Sequence, residues 1–76
     1  MTEYKTAETA INNLYSGVVV KLAGFDSAIF FQAVGGQIFA FAPALGICEH
    51  PKTAAEIKAH FETMLKEGAS LYKLEV

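Results

Sequence analysis

The fold is decided by the stretch Ser27-Ala-Ile-Phe-Phe-Gln-Ala-Val-Gly-Gly-Gln-Ile-Phe-Ala-Phe-Ala-Pro-Ala-Leu-Gly-Ile-Cys48. Between its charged flanks it contains no ionisable side chain except Cys48. Two apolar runs, 28–34 and 37–42, flank Gly35-Gly36, and two glycines between apolar runs are a strong signal for a type I′ hairpin turn. Pro43 then ends the second strand, because proline has no N–H to donate to a ladder. The stretch therefore predicts two adjacent antiparallel strands.

The same stretch is long enough for a membrane span, which needs about 20 apolar residues. Gln32, Gln37, the glycine pair and Pro43 all count against a spanning helix. The flanks carry Asp26 and Glu49 without a cluster of lysines, so the positive-inside signal of a membrane protein is missing. We therefore expect a sheet and no membrane association.

The flanking segments predict two helices and two further strands. The Thr53–Glu56 capping box begins the more secure helix, and Thr2 is the expected N-cap of the other. The elements are then helix 2–16, strand 18–22, strands 28–34 and 37–42, a connection of uncertain form over 44–50, helix 54–67 and strand 70–76. This order, αβββαβ, predicts an α+β two-layer sandwich. Its sheet would be mostly antiparallel and four-stranded, with two helices on one face and the last strand parallel to the first or the third.

Composition restricts the class of protein. The 76 residues predict one domain, 1–76, with 53% apolar residues and a net charge of −2. All six cations are lysines, and a nucleic-acid-binding protein without arginine and with an acidic balance would be unusual. Cys48 is the only cysteine, so no internal disulfide can form. The first eight residues carry acids and no apolar run, so we expect no secretory signal and a cytoplasmic protein.

A two-residue turn at Gly35-Gly36 also predicts which side chains share each sheet face. The first face would form the core under both helices. It comprises Ile29, Phe31, Ala33, Ile38, Ala40 and Ala42, joined by Val18, Val20, Leu22, Tyr72 and Leu74. The second face would carry Phe30, Gln32, Val34, Gln37, Phe39 and Phe41. Lys21 and Lys73 place Val19, Leu71 and Glu75 on that same side.

The second face is predicted to be an interface. Covering its three phenylalanines would contribute about 5–8 kcal/mol before entropy costs, which is comparable to the whole stability of a small domain. An uncharged aromatic patch with polar edges is typical of a protein interface. The predicted interface residues are Val19, Phe30, Gln32, Gln37, Phe39 and Phe41. The alternative is a three-layer monomer in which one helix covers each face.

No catalytic, metal or cofactor site is predicted. Cys48-Glu49-His50 and His60 lack the usual spacing of a zinc site and a visible orienting group for catalysis. Asp26 and Ser27 are expected to have a loop and capping role. These side chains therefore favour structural roles over chemistry.

The first functional hypothesis is a small, non-enzymatic protein-interaction module of the accessory or inhibitor type. It would form a homodimer through the aromatic face and bind an unidentified protein partner. The alternative is a binding protein for a small hydrophobic ligand in a pocket lined by phenylalanines. The candidates for that pocket are Phe25, Phe30, Phe31, Phe39 and Phe41. An enzyme using Cys48 and His50 is the third hypothesis.

Overall fold

Two helices pack on one face of a six-stranded antiparallel sheet with the strand order β1-β6-β2-β3-β4-β5. The computed structural model describes residues 2–24 and 27–74. The predicted roles of Phe25 and Asp26, and of Glu75 and Val76 in the last strand, lie outside these residues. The elements are β1 Glu3–Tyr4, α1 Ala7–Tyr15, β2 Val20–Ala23, β3 Ile29–Val34, β4 Gln37–Ala42, a 3₁₀ helix Pro43–Leu45, β5 Ile47–Cys48, α2 Ala54–Lys66 and β6 Ser70–Lys73.

The central hairpin has the predicted register. Phe31 pairs with Ala40, Gln32 with Phe39, and Val34 with Gln37. Gly35 and Gly36 both have positive φ, at 60° and 81°, as a type I′ turn requires at its two central positions. The division of β3 and β4 into two faces is therefore confirmed.

A single apolar core lies between the helices and the predicted first face. Phe31, Ile38, Val20 and Leu22 of the sheet are almost completely buried. They form one cluster with side chains of both helices, which include Ala10, Ile11, Leu14, Ile57 and Phe61. The ring of Phe31 meets that of Phe61 edge to face at 4.8 Å between centroids. The two-layer arrangement is thus confirmed, and the three-layer alternative is wrong.

The N-terminus differs from its prediction. Helix α1 begins after Thr6, whose side-chain oxygen accepts a hydrogen bond from the Thr9 N–H at 3.2 Å. Residues 3–4 form an edge strand instead, in which Glu3 pairs with Tyr72. Tyr4 is buried, and its spacing to Ala7 fits a helical stripe as well as a strand that leads into a helix. That ambiguity is why a helix from residue 2 was the wrong prediction.

The direction of the last strand is also corrected. The segment predicted as an uncertain connection forms β5, and Lys52 then forms a further bridge with Ile38. Residues 47–52 therefore run back along β4, so α2 starts from the opposite end of the sheet. As a result β6 lies antiparallel to both β1 and β2. The predicted parallel pairing and the four-stranded sheet are wrong.

The alternation of the last strand is reversed relative to the prediction. Leu71 pairs with Leu22 and is fully buried under the helices, while Tyr72 pairs with Lys21 on the other face. The prediction used Lys73 to mark the solvent side. Lys73 is instead half-buried on the helix side, where a lysine stem can lie along apolar surface. Val18, predicted in the core, is half-buried and precedes β2.

Helix α2 begins at the predicted capping box, with Thr53 as N-cap and Glu56 at the third helical position. In the described part of the chain, no helix is long and apolar enough to cross a membrane.

Candidate functional site on the outer face of the sheet

The sheet face opposite the helices, which we call the outer face, carries the aromatic side chains. Both helices direct their buried residues to the other face. The outer face is formed by Lys21, Phe30, Gln32, Val34, Gln37, Phe39, Phe41 and Tyr72. Within residues 2–24 and 27–74, no helix covers it.

One row of the outer face crosses all six strands. Each neighbour in the row is a paired residue on the adjacent strand, so the side chains point to the same side. The row runs Glu3, Tyr72, Lys21, Phe30, Phe41 and Cys48. We call these six residues the cross-strand row.

Phe30 and Phe41 form the apolar centre of this row. Their rings stack with 5.9 Å between centroids and an interplanar angle of 23°. Both remain half-buried, as do Phe39 in the neighbouring row and Tyr72. Four aromatic side chains thus present part of their surface to solvent on one side of the molecule.

The predicted interface residues occupy this face in part as expected. Phe30, Gln32, Gln37, Phe39 and Phe41 share it. Leu71, which was predicted on this face but not as an interface residue, lies in the core. Val19 precedes β2, is half-buried, and accepts a hydrogen bond from the Leu74 N–H through its carbonyl at 2.9 Å.

Tyr72 and Lys21 were not among the predicted interface residues. The place of Lys21 followed from its alternation with Val20 and Leu22, which predicted it on the second face. The sequence gives no comparable signal for Tyr72. One choice of inward face buries Leu71 and Lys73 and the other buries Tyr72 and Leu74, so each buries one leucine and one side chain with a polar end.

Lys21 is the one charge in the middle of the cross-strand row. It lies between Tyr72 and Phe30 and is half-buried. Among the described residues it forms no ion pair. A cation beside aromatic rings suits contact with a further aromatic face.

The two edges of the sheet are poorly suited to adding strands. Strands β1 and β5 have two residues each. At the β1 edge, Lys5 and Glu3 form an exposed ion pair at 3.4 Å. Short strands and charges are devices that protect sheet edges from pairing with other chains. Contact with another protein is therefore favoured at the outer face over the edges.

Two small adjoining cavities lie on the helix side. The first, about 140 Å³, lies between Ile29, Ala42, Leu45 and Ile47. The second, about 170 Å³, lies between Phe31, Ile57, Lys52 and His60. Both are lined by Ile29, Ala40 and Glu49. Leu45 and Ile47 are 60% and 50% exposed, so this corner of the core is open.

The candidate chemical residues are not brought together. Cys48 ends the cross-strand row, with its Sγ 3.9 Å from the Glu49 carbonyl oxygen. His60 lies on the helix side, its ring 6.3 Å from that of Phe31. His50 is exposed, and Ser27 lines the first cavity. No cluster of three potential metal ligands occurs within the described ranges.

Comparison of the chain with protein-family models, with curated proteins and with solved structures finds no match.

Proposed function

We propose that this protein is a small, non-enzymatic interaction module that self-associates through its outer face. The observation that carries the proposal is the partly exposed aromatic surface around the stacked Phe30–Phe41 pair. Aromatic side chains are enriched at interfaces, and charged residues are depleted at interface centres. Pairing two outer faces would leave both helix layers free to contact another protein, in an accessory or inhibitory role.

The energetics support self-association. Each half-buried phenylalanine that becomes fully covered contributes part of about 1.5–3 kcal/mol. A two-fold dimer covers the phenylalanines of both copies at once, because each copy uses the same surface patch. A chain of 76 residues has a small core, and oligomerisation is one way such chains gain stability.

Phe39→Glu tests the proposal. Phe39 lies on the outer face opposite Gln32, so a carboxylate there would be desolvated in a dimer but hydrated in a monomer. Light scattering behind size exclusion should give a mass of two chains for the wild type and one for the variant. Circular dichroism should show an intact fold.

Ala55→Glu is the matched control. It adds the same charge on the exposed first turn of α2, where an acid suits the helix dipole, and it should remain dimeric. A well-folded wild-type monomer would contradict the proposal.

A second function, the binding of a short aliphatic ligand, is favoured by the two helix-side cavities. Their shared lining of Ile29 and Ala40 is apolar, while Glu49, Lys52 and His60 supply polar groups at the second cavity. Such a combination is typical of ligand sites, although known pockets for drug-sized ligands are larger, at about 300–1,000 Å³. The ligand would therefore be small. Of the phenylalanines predicted for a pocket, Phe41 lines the first cavity and Phe31 the second, whereas Phe30 and Phe39 line neither.

Ala42→Leu tests this second function, because the larger side chain would fill the first cavity. Calorimetry with 1-hexanol should show binding to the wild type and to Ala55→Leu, a control on the exposed face of α2. Binding should be lost in Ala42→Leu. Equal binding by all three proteins, or none by the wild type, would rule out this site.

A further inference from the structure

We propose that the second copy packs on the outer face with the two-fold axis parallel to the strands, between β2 and β3. In this arrangement, Lys21 of each copy lies on the stacked Phe30–Phe41 pair of the other. The inference rests on the proposed self-association and specifies how the two copies are oriented.

Only two orientations give aligned packing of two identical sheets. Face-to-face sheets keep their strand directions within about 30° of each other. A two-fold axis in the interface plane achieves this when it runs either along the strands or across them. The cross-strand row distinguishes the two orientations because it contains one residue from every strand.

An axis across the strands places each strand over its own copy. The cross-strand row passes near the middle of β2 and β6, so an axis at mid-sheet would bring Lys21 close to the partner's Lys21 and Glu3 close to the partner's Glu3. Two like charges in a desolvated interface repel each other strongly. Because Lys21 has no ion pair among the described residues, nothing there would offset that repulsion.

An axis along the strands reverses the strand order across the interface. Strand β2 then faces β3 of the partner, β6 faces β4, and β1 faces β5. Lys21 lies over the partner's Phe30, and Tyr72 lies over the partner's Phe41. The first contact is a cation–π interaction and the second an aromatic pair, so every central residue of the cross-strand row meets a complementary group.

The position of the axis follows from the area of the sheet compared with the area that a standard protein interface buries. The strands range from two residues in β1 and β5 to six in β3 and β4, and at about 3.3 Å per residue and 4.8 Å between strands they cover on the order of 400 Å² in projection. A standard interface buries about 800 Å² of accessible surface per partner. Because the projected sheet is smaller than this, any sideways shift of one sheet over the other would reduce an already small contact, which favours an axis at the middle of the sheet, between β2 and β3.

Cross-linking through Cys48 tests the orientation. Cys48 is exposed at one edge of the sheet and Glu3 lies at the other. In the proposed dimer, two Cys48 residues are separated by five strand spacings, about 24 Å. Glu3 faces the partner's Cys48 across the sheet-to-sheet spacing of about 10 Å. A bismaleimide with a span of about 10 Å would therefore link the second pair and not the first.

The experiment compares three dimeric proteins. Glu3→Cys should give covalent dimers on a denaturing gel. The wild type should not, and neither should Glu3→Cys combined with Cys48→Ser. Cross-linking of the wild type through Cys48 would indicate an axis across the strands and overturn the inference, as would failure of Glu3→Cys to cross-link. Light scattering on the unmodified protein separates these outcomes from failure of the proposed function, which would give a single-chain mass.

Discussion

Among the described residues, Glu56 has an ionisation that is tied to the fold through hydrogen bonds. Its Oε1 accepts hydrogen bonds from the Thr53 N–H at 3.1 Å and from the Thr53 hydroxyl at 3.0 Å. These bonds, the backbone one first, hold the pKa of the Glu56 carboxyl below its ordinary value, and the charge of Lys52 adds a smaller effect. The capping box is thus strongest when Glu56 is ionised.

The stability of the protein should therefore depend on pH through Glu56. A carboxyl with a lowered pKa in the folded state contributes stability above its unfolded pKa, about 4.3. That contribution is lost as the pH falls through the lower folded value. Glu56→Gln keeps an acceptor but removes the charge, so its unfolding free energy should decline less than that of the wild type below about pH 4.3.

Urea unfolding at several pH values measures this difference. Glu62→Gln is the control, because within the described chain no hydrogen bond to the Glu62 carboxylate is found. It should follow the wild-type pH dependence. Identical curves for the Glu56 and Glu62 variants would show that the capping carboxylate has no such role.

Single residues also show which sheet-face assignments can be predicted from the sequence alone. The faces of Phe30, Phe39 and Phe41 could be predicted because the Gly35-Gly36 turn fixes the register locally. Leu71 and Tyr72 were assigned to the wrong faces, since the alternation of β6 permits either face. Only pairing with β2, which is distant in sequence, decides that Leu71 is buried beside Leu22.

At the level of elements, those with strong local sequence signals were predicted correctly, and those with weak signals were missed. Helix α2 has a capping box and the hairpin has paired glycines, and both formed as predicted. Strands β1 and β5 have two residues each, too few for any period to be recognised. Such strands are stabilised by the partner strand beside them, so their presence is a tertiary effect.

The missed element β5 had consequences beyond its length. Residues 47–52 run antiparallel along β4 and so bring the chain back to the other end of the sheet. The next elements, α2 and β6, therefore start from the opposite end. Omitting β5 inverted the predicted direction of β6. It also concealed the open corner between Leu45, Ile47 and Ala42 that forms the first helix-side cavity.

At the scale of the whole molecule, the two-layer architecture explains why the aromatic side chains of the outer face remain partly exposed. Both helices are needed to cover one side of the sheet, since both contribute to the single core cluster. A third layer would need another element within the chain, and the described residues supply none.

If folding and association through that face are coupled, stability should depend on protein concentration. For a dimer that unfolds to two separate chains, a tenfold rise in concentration adds about 1.4 kcal/mol per dimer. The thermal midpoint of the wild type should therefore rise between micromolar and near-millimolar protein. Phe39→Glu should have a lower thermal midpoint, because its outer face is not covered by a second copy. As a monomer, it should have the same midpoint at every concentration. Ala55→Glu should behave as the wild type does. A wild-type midpoint independent of concentration would mean that the outer face contributes nothing to folding through a second copy.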